Sequence, residues 1–96
     1  MAEVQVTLWR EIPSMVAARQ GEEVAKVQLP QRFQEAIDEA AMRLGESSAD
    51  DYMAGWTRSA WEEFGGDPVQ AAQQRSEALD LEWTQARLDA YLDSLG

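Results

Sequence analysis

Residues 3–13 read Glu-Val-Gln-Val-Thr-Leu-Trp-Arg-Glu-Ile-Pro, and apolar and polar side chains alternate through the first half of this stretch. Val4, Val6 and Leu8 fall on one side of an extended chain, and Trp9 falls on the other side. This two-residue period predicts a β-strand with one buried face. Pro13 lacks a backbone N–H, so it bends or ends the strand pattern there.

Two more short strands are predicted around Gly21. Residues 15–19 and 23–29 are rich in valine and alanine, and the segment between them contains the glycine that tight hairpin turns favour. Together with the first strand, these segments predict three antiparallel strands.

The pattern becomes helical after Pro30. Apolar side chains at three- and four-residue spacing predict a helix with one buried side; they are Phe33, Ala36, Ile37, Ala40, Ala41 and Leu44. Gly45 is a suitable stop for this helix.

Two more helices are predicted in the C-terminal half. Ser48 has an N-cap side chain, and the acids after it suit a first helical turn. We expect this second helix to continue to Phe64. Asp67-Pro68 supplies the next N-cap and first-turn proline, and we expect a third helix that runs unbroken to about Leu95.

These elements predict an α+β fold in which a three-stranded antiparallel sheet is packed by three helices, the C-terminal one being long. The chain has 96 residues, which is near the typical size of one domain. We therefore expect a single domain over 1–96, strand-rich in 1–29 and helical in 30–96.

The composition excludes several classes of chemistry. The chain contains no Cys and no His, so the usual zinc, iron–sulfur and haem ligand sets and histidine-based catalysis are not available to it. The remaining serines, threonines and acids match no catalytic or metal-binding motif. We expect no stand-alone enzyme activity, no cofactor and no metal site.

The charge is acidic and unevenly distributed. The chain has 8 Lys+Arg against 18 Asp+Glu, a net charge of −10. Residues 1–32 are neutral, so residues 33–96 carry all of this charge. Because the basic residues are scattered singly, nucleic acid is not expected as a partner. No segment is long and apolar enough to predict a membrane span, and the N-terminal residues do not resemble a signal peptide, so we expect a cytoplasmic protein.

The third predicted helix has apolar residues on two sides. One side carries four leucines: Leu81, Leu88, Leu92 and Leu95. In one interpretation these side chains tuck under the sheet, and in the other they form an exposed stripe that docks a second subunit or a partner protein.

Four tryptophans are further candidates for an interface, since tryptophan often anchors protein–protein contacts. Trp56 and Trp83 lie centrally on apolar stripes, which favours a place in the core. Trp9 faces away from the apolar side of its strand, and Trp61 lies at the edge of the apolar stripe of its predicted helix, so we expect these two to be surface aromatics.

Two separated motifs give the chain a family resemblance. Residues 8–13 contain Trp-Arg-Glu-Ile-Pro, and residues 26–33 read Lys-Val-Gln-Leu-Pro-Gln-Arg-Phe. With Ala40-Ala41-Met42 and the pair Tyr52 and Trp56, they resemble the small bacterial "virulence factor" domain, whose pattern is W-R-[DE]-I-P followed by K-x-x-L-P-x-R-F. The resemblance covers about residues 4–64.

The resemblance implies a bacterial accessory protein and no established biochemical activity. In a larger protein of this family the domain accompanies HEAT-like helical repeats, and stand-alone members are associated with neighbours of folate- and corrinoid-dependent one-carbon enzymes. In a functional interpretation of the motifs, Trp9, Arg10 and Arg32 form one recognition patch. In a structural interpretation, Arg10 and Arg32 pair with Glu11, Glu35 or the acidic helices.

The leading functional hypothesis is a non-enzymatic module for protein interaction or self-association, in which a homodimer is plausible. Its candidate residues are Leu81, Leu88, Leu92, Leu95, Trp9, Arg10, Arg32 and Trp61. The first alternative is a regulatory subunit of a one-carbon enzyme. The second is a small-ligand binder that uses Trp9 with Arg10 or Arg19.

Overall fold

The computed structural model describes residues 2–45 and 48–95. Within these residues the elements follow in the order β1 (Ala2–Trp9), β2 (Ile12–Gln20), β3 (Glu23–Gln28), α1 (Gln31–Arg43), α2 (Ala49–Ala54), β4 (Trp56–Arg58), β5 (Glu62–Phe64), α3 (Pro68–Glu82) and α4 (Gln85–Ser94). The predicted α+β class is confirmed, with four helices and five strands in place of three and three.

β1 is the inner strand on which the sheet is built. The strand order is β3-β2-β1-β4, every pairing is antiparallel, and β5 also pairs with β1. The predicted alternation in β1 is confirmed, because Val4 and Val6 are buried and Leu8 packs partly against the core. The predicted hairpin at Gly21 is also confirmed, and this glycine has a φ of 60°.

Pro13 lies inside β2 at an irregular point of the ladder. Thr7 pairs with Met15 and Leu8 pairs with Pro13, so Ser14 has no partner in β1. Such a bulge accommodates a residue that lacks a backbone donor.

The first helix matches its prediction. α1 ends at Arg43, its apolar side is buried, and Gly45 follows in a left-handed conformation with a φ of 72°. The Ser48 N-cap of α2 is confirmed as well, since the Ser48 side chain accepts a hydrogen bond from the Asp51 N–H.

The predicted second helix is too long. α2 ends at Ala54, and the chain then forms β4 and β5, which share one edge of β1. The pairing register shifts by one residue between these two strands, at Ser59. There Val6 N–H donates to Ser59 Oγ and Ser59 N–H donates to the Val6 carbonyl, both at 2.9 Å. Pairing with the edge of β1 thus overrides the local helical pattern.

The predicted third helix is interrupted. Its start is confirmed, with the Asp67 side chain accepting from the Gln70 N–H at 2.8 Å, but α3 ends at Glu82. Thr84 caps a separate helix, α4, by accepting a hydrogen bond from the Arg87 N–H at 3.2 Å. This break lets the side chains of α4 face the core independently of those of α3.

The helices pack on one side and at one end of the sheet. α3 lies against β1, β2 and β3, and α1 packs against α4 and β2. Arg32, at the start of α1, donates to the carbonyls of Asp80 and Trp83 at 3.0 and 3.1 Å and pairs with the Asp80 carboxylate. Arg43, at the other end of α1, donates to the Leu92 carbonyl at 2.9 Å.

The backbone of Gly55 lies directly against the ring of the buried Trp9. A Cβ atom built at Gly55 would lie 2.5 Å from Cε2 and Nε1 of that ring. We expect Gly55→Ala to lower the free energy of unfolding by about 1–3 kcal/mol, the usual cost of overpacking a core. Urea unfolding followed by circular dichroism measures this. Gly65→Ala is the matched control, since no described residue other than its two chain neighbours lies within 4 Å of its Cβ position. Equal losses in the two variants would contradict the packing argument.

Candidate functional site

One face of the sheet has a middle region that the described helices do not cover. Its side chains come from every second residue of the strands. The residues between them point to the other face of the sheet, where α3 packs. We call it the open face, and its residues are Gln5, Thr7, Met15, Ala17, Arg19, Val24, Lys26, Arg58 and Trp61. α1, α3 and α4 contribute no side chain to this lining.

A small residue forms the centre of the open face. Ala17 pairs with Gln5 on one side and Lys26 on the other. Because cross-strand partners point to the same side of a sheet, the larger neighbours stand around this alanine. The result is a hollow of about 340 Å³.

Trp61 forms one wall of the hollow and is held there by Arg19. The Arg19 guanidinium carbon lies 3.9 Å from the centroid of the Trp61 ring, a cation–π contact. Arg19 Nε also donates to the Glu3 carboxylate at 3.2 Å. Two interactions therefore fix Arg19, and it positions the indole.

A second hollow continues the open face towards α2. It has a volume of about 660 Å³ and is lined by Thr7, Met53, Trp56, Thr57 and Arg58. Thr7 and Arg58 line both hollows, so the two form one surface. Met53 is 65% exposed and extends the apolar part of this surface.

The open face is electrostatically unlike the rest of the chain. Lys26 and Arg58 form no ion pair with any residue in the described ranges, whereas Arg32, Arg43 and Arg87 each pair with an acid on a helix. The chain carries a net charge of −10. Glu3 and Glu63, which are cross-strand partners, lie on the same side of the sheet beside Arg19. The middle of the open face thus combines apolar side chains with two cations that have no ion-pair partner among the described residues, a combination suited to binding.

Trp9 was predicted to be a surface aromatic, and this is wrong. Trp9 is 0% exposed, and its indole N–H donates to the Tyr52 carbonyl at 2.7 Å. Its ring also stacks on the Tyr52 ring, with 5.9 Å between the two centroids. The covering segment is α2, which the sequence pattern had assigned to a longer helix. Trp83 is buried as predicted, but Trp56 is only partly buried and lines the second hollow.

The four leucines do not form one exposed stripe. Leu88 and Leu92 are buried, Leu95 packs partly against the same core, and only Leu81 among the four is exposed, at 80%. The interpretation that these side chains serve the chain's own core therefore holds for three of the four. The physical reason is the break before Thr84, which rotates α4 relative to α3.

Trp9, Arg10 and Arg32 were a predicted patch, and the structure brings Arg10 to Trp9 but directs Arg32 to a different part of the fold. Arg10 lies in the β1–β2 turn with its guanidinium carbon 5.6 Å from the centroid of the Trp9 ring. Arg32 is directed to the end of α3 and pairs with Asp80. The structural interpretation of Arg32, a pairing with an acidic helix, is confirmed.

Trp61 was predicted from the sequence as a site residue, and most of the residues around it were not. Met15, Ala17 and Arg19 alternate in β2, and Val24 and Lys26 alternate in β3, so the two-residue period was the available signal. Arg58 was hidden because its segment was predicted to be helical.

The fold and this surface define a class: a small α+β domain with helices on one side of an antiparallel sheet and a partly uncovered opposite face. A family model described as "Virulence factor" matches residues 7–92, and the chain belongs to this family. The suspected resemblance is confirmed, and the match extends beyond residue 64 into α4. No curated protein and no solved structure matches the chain.

In residues 2–45 and 48–95, no three acidic side chains are grouped so that they could hold a metal ion. Within the same ranges, every helix is too short or too polar to cross a membrane.

A hydrogen bond from Tyr91 stabilises the β1–β2 turn, which lies beside Trp9. Burial and a hydrogen bond from the Tyr91 hydroxyl to the Glu11 carboxylate raise the pKa of Tyr91 from 10.0 to about 12. A raised pKa means that the folded state holds the phenol proton more tightly than the unfolded state does. The stability from this contact is therefore complete below pH 10 and is lost as the pH rises towards 12.

We expect Tyr91→Phe to reduce the fall in unfolding free energy between pH 10 and pH 12. The tyrosinate absorbance step near pH 12 should also disappear in this variant, whereas Tyr52→Phe should leave that step in place. Ultraviolet titration and urea unfolding at each pH measure both effects. If Tyr91→Phe and the unsubstituted chain had the same pH dependence, the assignment of the contact would be wrong.

Proposed function

We propose that the protein is a non-enzymatic interaction module that docks another protein on its open face. A single observation carries this proposal: one face of the sheet presents apolar side chains and two cations that have no acidic partner among the described residues, and the described helices leave the middle of that face uncovered. The side chains Lys26, Arg58, Val24, Met53 and Trp61 provide the contact surface.

The chemistry of this surface supports a protein partner. Aromatic residues, methionine and arginine are enriched at the buried centres of protein interfaces, and contiguous exposed apolar patches mark interaction sites. Trp61 is fixed by Arg19 before any partner arrives, so docking costs little side-chain entropy at this position. The absence of His and Cys from the chain supports a role in binding over catalysis.

The alternatives use the same surface and differ in the occupant. A regulatory subunit would dock a one-carbon enzyme there, and self-association would dock a second copy. A small-ligand binder would use the hollow of about 340 Å³, which lies within the usual size range of ligand pockets. In that case Trp61 takes the place of the buried Trp9 beside Arg19.

Photo-cross-linking in cells of the organism that encodes the chain tests the proposal. The amino acid p-benzoylphenylalanine is placed at Val24, or at Met53, on the open face, and at Val69 on α3 as the control. Val24 and Val69 have similar exposures, 61% and 55%, so they differ chiefly in location. We expect light-dependent protein adducts from Val24 and Met53 and none from Val69.

Mass spectrometry of the adducts distinguishes the alternatives. An enzyme of one-carbon metabolism in the adduct would support the regulatory role, and an adduct of twice the chain mass would support self-association. Adducts that form from Leu81 on α3 but not from the open face would overturn the proposal and favour the helical side. The absence of any protein adduct, together with quenching of tryptophan fluorescence by a small ligand, would favour the ligand binder.

A further inference from the structure

We infer that the segment docked on the open face is an acidic amphipathic helix of a partner protein. This inference rests on the proposed function and specifies the chemistry and the secondary structure of the partner. The observations that carry it are the positions of Lys26 and Arg58 on opposite sides of the hollow and the small Ala17 at its centre.

A helix fits the face because the face offers side chains and no free backbone. The central strands β1 and β2 are paired on both edges, so their N–H and C=O groups are used within the sheet. A segment that lies across them must satisfy its own backbone hydrogen bonds, as a helix does. An extended peptide would instead pair with an outer strand, away from the hollow.

The spacing of the two cations matches the width of a helix. Lys26 lies on β3 and Arg58 on β4, with β2 and β1 between them. Three strand spacings of about 4.8 Å separate the two positions by roughly 14 Å across the sheet. Lys26 is level with Gln5 and Arg58 is level with Thr7, so an offset of roughly 7 Å along the strands brings their distance to roughly 16 Å. A helix with side chains is about 10 Å across, so it fits between them along the strands, with one cation on each flank.

The charges favour acids on both flanks of that helix. Lys26 and Arg58 have no ion-pair partner among the described residues, and carboxylates of the partner would provide one for each. The net charge of −10 does not cancel this local attraction, because acids on α3 lie beyond the sheet and a helix about 10 Å wide. Glu3 and Glu63 lie on the same side of the sheet as the hollow, but the register places them roughly 12 Å or more from Lys26 and Arg58. Glu3 also pairs with Arg19. Charges separated by more than the Debye length of about 8 Å are largely screened at physiological salt.

The hollow predicts an apolar stripe between the two acidic flanks. Ala17 leaves space for one inserted side chain, and Met15, Val24 and Trp61 supply apolar surface around it. On a helix, residues three and four apart form such a stripe. The expected ligand therefore has apolar residues at i, i+3, i+4 and i+7 and acids on both sides of them.

A selection from a display library tests the inference. The probe is a library of 20-residue peptides with randomised positions, selected against the intact 96-residue chain. We expect the enriched peptides to be acidic, to show helical apolar periodicity and to gain helical circular dichroism on binding. An enriched set that is basic or neutral, or that binds in an extended form, would overturn the inference, and so would the absence of enrichment.

Variants locate the binding surface for the enriched peptides. Lys26→Glu combined with Arg58→Glu should weaken binding by about tenfold or more, since like charges would face the acidic flanks. Ala17→Leu should weaken it by filling the hollow without any change in charge. Arg75→Glu is the matched control on α3, and its affinity should be unchanged; equal loss from Arg75→Glu would overturn the location.

The same reagents separate this inference from the proposed function and from other partners. If Val24 cross-links to a protein in cells but the selection yields no acidic helices, the proposed function stands and the nature of the occupant is wrong. A single-stranded oligonucleotide that binds the open face and is lost in the Lys26→Glu, Arg58→Glu variant would overturn the choice of a protein helix. A concentration-dependent dimer in light scattering that Ala17→Leu abolishes would assign the face to a second copy.

Discussion

The burial of the Trp9 indole is the constraint on which the local architecture depends. Trp9 ends β1, pairs with Ile12 across the β1–β2 turn and with Trp56 in β4, and donates its N–H to the Tyr52 carbonyl. Only a residue without a Cβ fits at Gly55, directly against this ring. One side chain thus fixes the turn, the end of α2 and the start of β4, and it sets where the open face stops.

Local patterns predicted the parts of the fold whose partners are close in sequence. The β2–β3 hairpin, α1 and the caps at Ser48 and Asp67 follow from alternation, spacing and capping chemistry. β4 could not be predicted in this way, because Trp56 lies within an apolar spacing that also suits a helix. Its strand state comes from hydrogen bonds to β1, a partner that lies far away in the sequence.

The candidate site shows the same limit. Trp61 was predicted as a surface aromatic from its own place in the sequence. Its orientation depends on Arg19 in β2, which comes into contact with Trp61 only when the sheet has formed. The net charge of −10 likewise gave no indication of the cations on the open face, because it is a sum over the whole chain. A sum of this kind describes solubility and long-range fields, whereas the location of Lys26 and Arg58 governs what can touch the open face.

The long-range pairing of β1 also has a consequence for folding during synthesis. Val6 bonds to Ser59, 53 residues later, while its pairing with Val16 needs only a short loop. We therefore expect the two hairpins to close before β1 pairs with β4 and β5, because pairing over such a separation is slow. Until residue 64 has left the ribosome, one edge of β1 is an open template for strands of other chains. The nascent chain is accordingly most prone to aggregation after β1 and β2 have emerged and before β4 and β5 cover that edge.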